Sequence, residues 1–218
     1  MNQWTIPKRL AIASIVMLAC ALPAAQRSET EGIKETADFV KAGGKTSKSI
    51  ADAKSEIQNT LNAYNALVTQ PSKDMKGDYK KLLKSVKDMN DKVTSARQEV
   101  SSMETVGGTY FSGRTAAIKN IQDAGLREKA QQRLDENQKA YSGVLTSFQQ
   151  AGQTLEPLRK ELGDQITYLG SDLTPGGTAS LKSRAEKLNQ QGTDVFAKID
   201  HALDTANTYF NSMRPTKS

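Results

Sequence analysis

YKKLLKSVKDMNDKVTSARQEVSSM, residues 79–103, decides the fold of this chain. Tyr79, Leu82, Val86, Met89, Val93, Ala96, Val100 and Met103 alternate steps of three and four without a miss, and every position between them except Leu83 is polar or charged. That alternation puts all eight on one stripe of an α-helix, a heptad seam of the kind through which long helices pack; a strand would need a period of two. The stripe extends through Tyr110, Ala117 and Ile121, which predicts a helix of about 45 residues, nearly 70 Å at about 1.5 Å per residue. Gly107, Gly108 and Gly113 interrupt it, and a local bend or the close approach of a second helix is expected there.

The same pattern runs outward on both sides. Upstream, Ile50, Ala53, Ile57, Leu61, Tyr64 and Leu67 form a helical face that should end near Thr69, ahead of Pro71, because proline disfavours helical geometry in the residue before it. Downstream, Asp123-Ala124-Gly125 reads as a turn, and a third helix carries Leu126, Ala130, Leu134, Tyr141, Val144, Phe148, Ala151, Leu155, Leu158, Leu162, Ile166 and Leu169. Pro157 falls inside it and predicts a kink near Leu155 or a break into two helices. Thr174-Pro175-Gly176-Gly177 reads as a breaker, after which Leu181, Ala185, Leu188, Val195, Ile199, Ala202, Ala206, Tyr209 and Met213 mark the last helix. Short connections make consecutive helices antiparallel. The expected fold is all-α, an elongated antiparallel up-down-up-down helical bundle with coiled-coil-like heptad packing, with the Pro71 and Pro175 turns at one end. Residues 46–213 form this bundle and 214–218 a fraying tail. Residues 26–45 are polar and contain Gly43-Gly44, so they read as a flexible or partly helical linker, although Ile33, Phe39 and Val40 could form one apolar stripe. If residues 28–49 are disordered, the far end of the bundle should have three helices.

Composition agrees. Only 37% of the 218 residues are hydrophobic and 6% aromatic, with a mean hydropathy of -0.58. A narrow seam needs fewer apolar residues than a thick globular core.

Residues 1–25 have the order of an export signal: Lys8-Arg9, an apolar run from Leu10 to Leu22, then Pro23 and small residues. The run is about 13 residues, short of the roughly 20 that a spanning helix needs. Cys20, the single cysteine, follows Met17-Leu18-Ala19 where a lipoprotein signal places the residue that becomes lipidated. Three outcomes stay open: lipidation at Cys20, ordinary cleavage after Ala21 or Ala24, and an uncleaved anchor. The expected location is periplasmic, or membrane-anchored facing the periplasm. A mature chain cut there holds no disulfide framework. Loss of Lys8 and Arg9 lowers the formal charge of +6 by two. The remainder, spread over solvated helix faces, gives no dense basic block, so no nucleic-acid partner is expected.

No constellation for catalysis stands out. Ala42-Gly43-Gly44-Lys45-Thr46 resembles part of a phosphate loop, yet Phe39 stands where that motif needs glycine and no buried strand precedes it. The segment reads instead as flexible chain before the first helix, with Thr46 or Ser47 near an N-cap. His201, the single histidine, lies near Asp200 and Asp204. One histidine cannot supply the paired Glu-x-x-His motifs of di-iron bundles, so it reads as a solvated surface residue. Tyr64, Tyr79, Tyr110, Tyr141 and Tyr209 all fall on seams, which favours core packing over an aromatic ligand groove. Lys80, Lys81, Lys84 and Lys87 flank Leu82 and Leu83 and read as the solvated side of the helix rather than a membrane-surface stripe. No cofactor and no metal is expected, and no enzyme activity.

Four stretches carry a resemblance: the long helix from Tyr79 to Tyr110, the run from Tyr141 to Leu155-Glu156-Pro157-Leu158, Asp164-Gln165-Ile166-Thr167-Tyr168-Leu169, and the terminal Tyr209-Phe210-Asn211-Ser212-Met213. With these the chain resembles the bacterial family labelled domain of unknown function 2959, across most of its mature length. The resemblance implies an exported helical envelope protein or lipoprotein and supplies no site residues. The expected role is a non-enzymatic spacer or adaptor for another envelope protein, associated with a membrane through lipidated Cys20. The alternative is a carrier that binds a lipid or small ligand between helices. A cavity lined by the tyrosines would favour the carrier, and a solid seam the adaptor.

Overall fold

The computed structural model describes residues 22–214, with side chains from Gly32 onward. Cys20 and the whole of the apolar run except Leu22 therefore lie outside the described residues, as does the tail after Arg214. Five helices follow one another: α1 (Leu22–Thr69), α2 (Met75–Lys119), α3 (Ala124–Ser171), α4 (Pro175–Ser180) and α5 (Lys182–Ser212). Among the described residues there is no strand.

Helix starts are set by side chains that satisfy free backbone N–H groups. Asp74 accepts from the Gly77 N–H at 2.9 Å and Asp123 from the Leu126 N–H at 2.7 Å. Asp123 thus ends a tight turn, and Ala124 and Gly125 already belong to α3. The stretch read as a breaker is also partly helical: Thr174 caps α4 by accepting from the Gly177 N–H at 3.1 Å, and Pro175 sits in the first turn, where its missing N–H costs nothing. α3 passes through Pro157 as one continuous helix rather than two.

Each long helix packs on two neighbours. α1 packs most extensively on α2, α3 on α5, α1 on α5, and α2 most sparingly on α3. The order around the bundle axis is α1-α2-α3-α5, with α1 diagonal to α3, an up-down-up-down bundle. The closeness of α1 and α2 has a local cause. Buried Thr46 and Thr60 on α1 donate to the Glu99 and Ser85 carbonyls of α2, each at 3.0 Å, so short polar side chains take positions where a Leu would hold the helices apart. Seam residues fill the axis: Leu67, Leu82, Met103, Leu158, Leu169 and Leu188 are fully enclosed.

Residues 26–45, expected to be flexible or partly helical, form an uninterrupted part of α1. Thr46 is accordingly mid-helix and not an N-cap. The glycine pair that suggested flexibility serves packing. A Cβ on Gly43 would lie closer than 3.0 Å to the ring of Phe210 on α5, whereas one on Gly44 would meet nothing within 4 Å.

The far end has three helices, for a reason other than disorder of residues 28–49. α5 stops at Ser212, where Tyr209 reaches Asn137 of α3 and Phe210 reaches Phe39 of α1. α1, α2 and α3 continue past that level, α3 by about 20 Å at about 1.5 Å per residue.

Candidate functional site

An aromatic plug closes the four-helix section at the level where α5 ends. Phe39 stacks on Tyr110 with ring centroids 4.8 Å apart and meets Phe111, Tyr141, Tyr209 and Phe210 edge-on at 5.0–6.2 Å. Offset and edge-to-face contacts of this kind add to the gain from burial. The Tyr141 hydroxyl donates to the Met103 carbonyl at 3.0 Å and the Tyr209 hydroxyl to Asn137 at 2.6 Å. Burial pushes both phenols well above their ordinary value. Gly107 admits Tyr141: a Cβ there would lie 2.6 Å from its hydroxyl oxygen. This is the close approach expected at the Gly107-Gly108 interruption. Tyr64, Tyr79, Tyr141 and Tyr209 are thus seam residues with hydrogen-bonded hydroxyls, and Tyr110 is held by ring contacts. Sequence reading missed the centre of the plug, because Phe39 lay in the segment set aside for its glycines.

Beyond the plug, past the end of α5, the described residues leave an open groove of about 800 Å³ lined mainly by α2 and α3. Ile118, Ile121, Ala130, Leu134 and Met213 give it apolar walls, with Arg133 and Glu136 among its polar groups. Arg114 spans its α1 side, donating to the Gly32 carbonyl at 3.0 Å and to the Thr36 hydroxyl at 2.6 Å, with its guanidinium 5.3 Å from the Tyr110 ring centre. Two large apolar side chains at this end face solvent, Ile33 at 67% and Leu126 at 60%. Leu126 was expected on a packed face, and Ile33 on an apolar stripe only if its segment is helical. α5 is absent at their level.

A second opening lies midway along the bundle, between the sparsely packed α2 and α3, with a volume of about 640 Å³. No tyrosine lines it. Arg97 and Glu156 face one another across it as an ion pair, and Arg159 reaches Glu156 as well as Asn90. Burial alone would raise the Glu156 carboxyl, but the Arg97 hydrogen bond and the two positive charges outweigh it and hold it below the usual range.

The other candidates are ordinary surface or core. Lys45 pairs with Glu99 at 2.9 Å. Lys81, Lys84 and Lys87 pair along α2 with Asp78, Asp88 and Asp91. His201 is exposed on α5. Among the described residues no three His, Cys, Asp or Glu side chains are grouped to hold a metal, and no helix is long and apolar enough to cross a membrane.

Neither a curated protein nor a solved structure matches the chain. A family model does, over residues 26–213, from the part of α1 read as linker to the last residue of the α5 seam. The chain belongs to the family described as protein of unknown function DUF2959.

Proposed function

We propose that the protein is an exported, non-enzymatic adaptor, tethered to a membrane through Cys20 and receiving a helix of an envelope partner in the open groove at its three-helix end. The observation that carries this reading is the early end of α5, beyond which the described residues leave an apolar groove lined mainly by α2 and α3, with Ile33 and Leu126 exposed at the same end of the bundle. An amphipathic helix laid there would restore the four-helix cross-section, a recurring mode of recognition. The tether gives the groove a direction. Cys20 stands two residues before the first residue of α1, and α1 begins at the open end, so lipidation would set the groove against the membrane and the Pro71 and Pro175 turns about 70 Å away at helix rise.

Two measurements test this. Intact-mass analysis of protein from membranes should show acyl chains on Cys20, and Cys20→Ser should move the protein to the soluble fraction. An unmodified mature terminus at Leu22 or Gln26 contradicts the tether. Pull-down from the same membranes should retain a partner with the wild-type protein and lose it with Ile121→Glu and Ala130→Arg. Equal retention contradicts the groove.

A further inference from the structure

The opening between α2 and α3 has features that the adaptor reading does not use. It is a slot parallel to the helices: its lining on α2 runs from Val93 to Glu104, about 16 Å at helix rise. It reaches the bundle axis, since Ile57 of α1 and Ile199 of α5 form its floor. Its cause is legible in the side chains. Ala96 and Ala151 take seam positions that Leu or Phe fills elsewhere, and Gly152 stands beside Ala151. Around it the core is incompletely sealed, with Ala96 at 8% exposure and Phe148 at 6%, while Leu158 and Leu169 nearer the Pro71 end are at 0%.

Polarity in the slot is separated by depth. The floor and walls are Ile, Val, Ala, Leu and Phe, which offer water no hydrogen-bond partner, so water held there is readily displaced by an apolar group. Arg97, Glu104, Gln149, Gln153 and Glu156 complete the lining. At the opening Arg97 faces Glu104 and Glu156, and Arg159, which reaches Glu156 from beyond the lining, supplies the second positive charge, so no net charge is left over. A ligand whose headgroup carried net charge would face no opposite excess. The volume lies within the ~300–1,000 Å³ common for small-ligand sites, and the length favours a chain over a compact ring.

We propose that this slot binds an electrically neutral single-chain amphiphile, its acyl chain lying along the seam between α2 and α3 and its headgroup at the Arg97–Glu156 ion pair. The site is separate from the far-end groove and does not depend on what docks there.

The test uses the purified mature protein and an uncharged phenylnaphthylamine dye, whose emission rises in apolar surroundings. The dye should bind saturably and be displaced by lauroyl glycerol, and by dodecyl phosphocholine below its micellar concentration, at lower concentrations than by laurate. Ala151→Phe, which fills the slot, should weaken lauroyl glycerol at least tenfold while its thermal midpoint stays the same or rises. Ala96→Leu fills the slot from the facing helix and gives the same loss should the larger substitution unfold the protein. Ala130→Phe, in the far-end groove, should leave displacement unchanged. Absence of saturable binding, binding retained in both filled variants, or loss in Ala130→Phe alone overturns the proposal. So does a wild-type dimer that Ala151→Phe dissociates, because a second copy would then occupy the slot.

Discussion

The Tyr64 hydroxyl on α1 donates a hydrogen bond to the Gln165 side-chain oxygen on α3, across the diagonal of the bundle, and both residues are shut off from solvent. The Gln165 amide donates in turn to Glu161 at 2.9 Å, and Glu161 accepts from Arg184 of α5 at 3.2 Å. A polar chain thus leads from the core to the surface through three helices. Apolar seams tolerate sliding by a turn, whereas a buried polar pair is satisfied in one register alone.

Removing one partner should cost more than removing both. Tyr64→Phe strands the Gln165 oxygen in the core and should lower stability by about 1–3 kcal/mol. Adding Gln165→Leu should recover part of that loss. Chemical denaturation of the two single variants and the double variant measures the coupling, and strictly additive losses would show that the pair does not interact.

The neighbouring glycines of α1 should respond in opposite directions. Gly43→Ala forces a methyl against the Phe210 ring and should destabilise by about 1–3 kcal/mol. Gly44→Ala has open space before it and should stabilise by up to about 1 kcal/mol through helix propensity. Thermal melts followed by far-ultraviolet circular dichroism read both, and equal shifts would contradict the packing of α1 on α5.

Alkaline pH should weaken the bundle through its buried phenols. Burial, helped by the Glu161 charge, raises the Tyr64 phenol from 10.0 to about 12, and burial moves Tyr141 and Tyr209 the same way. Above pH 10 the unfolded chain loses tyrosine protons that the folded chain keeps. The contribution is therefore complete below pH 10 and falls away as pH rises toward about 12. Denaturant midpoints across that window should decline, and Tyr64→Phe should decline less steeply from its own lower start. A flat profile would contradict burial of these phenols.

Periodicity made the seams legible. From Leu134 to Leu169 every residue assigned to the α3 stripe is buried, and so is every one from Leu181 to Tyr209 in the last helix. Periodicity could not say where a stripe stops having a neighbour. Ile33 and Leu126 carry the apolar signal of a packed face yet lie past the end of α5, and that end shows only once the helices are aligned. Composition misled over α1 for a related reason: a glycine that admits Phe210 and a glycine in a flexible linker look alike along the chain. The slot between α2 and α3 was hidden because Ala96 and Ala151 satisfy the heptad pattern as well as Leu does, and the space they leave depends on what faces them. Tyr64, Tyr141 and Tyr209 read correctly as core because each is long enough to sit on the apolar stripe and still bring its hydroxyl to an acceptor.

The claim on which the functional account rests is that the open three-helix end lies at the membrane. Cys20 is the single cysteine of the chain, and lipidation would block it, so one new cysteine can be labelled at a time in the anchored protein. Fluorophores at Gly125→Cys, beside the groove, and at Ser72→Cys, in the distal turn, can be compared with a collisional quencher carried on lipid headgroups. The account predicts strong quenching at residue 125 and almost none at residue 72. Equal quenching at both, or stronger quenching at residue 72, would contradict it.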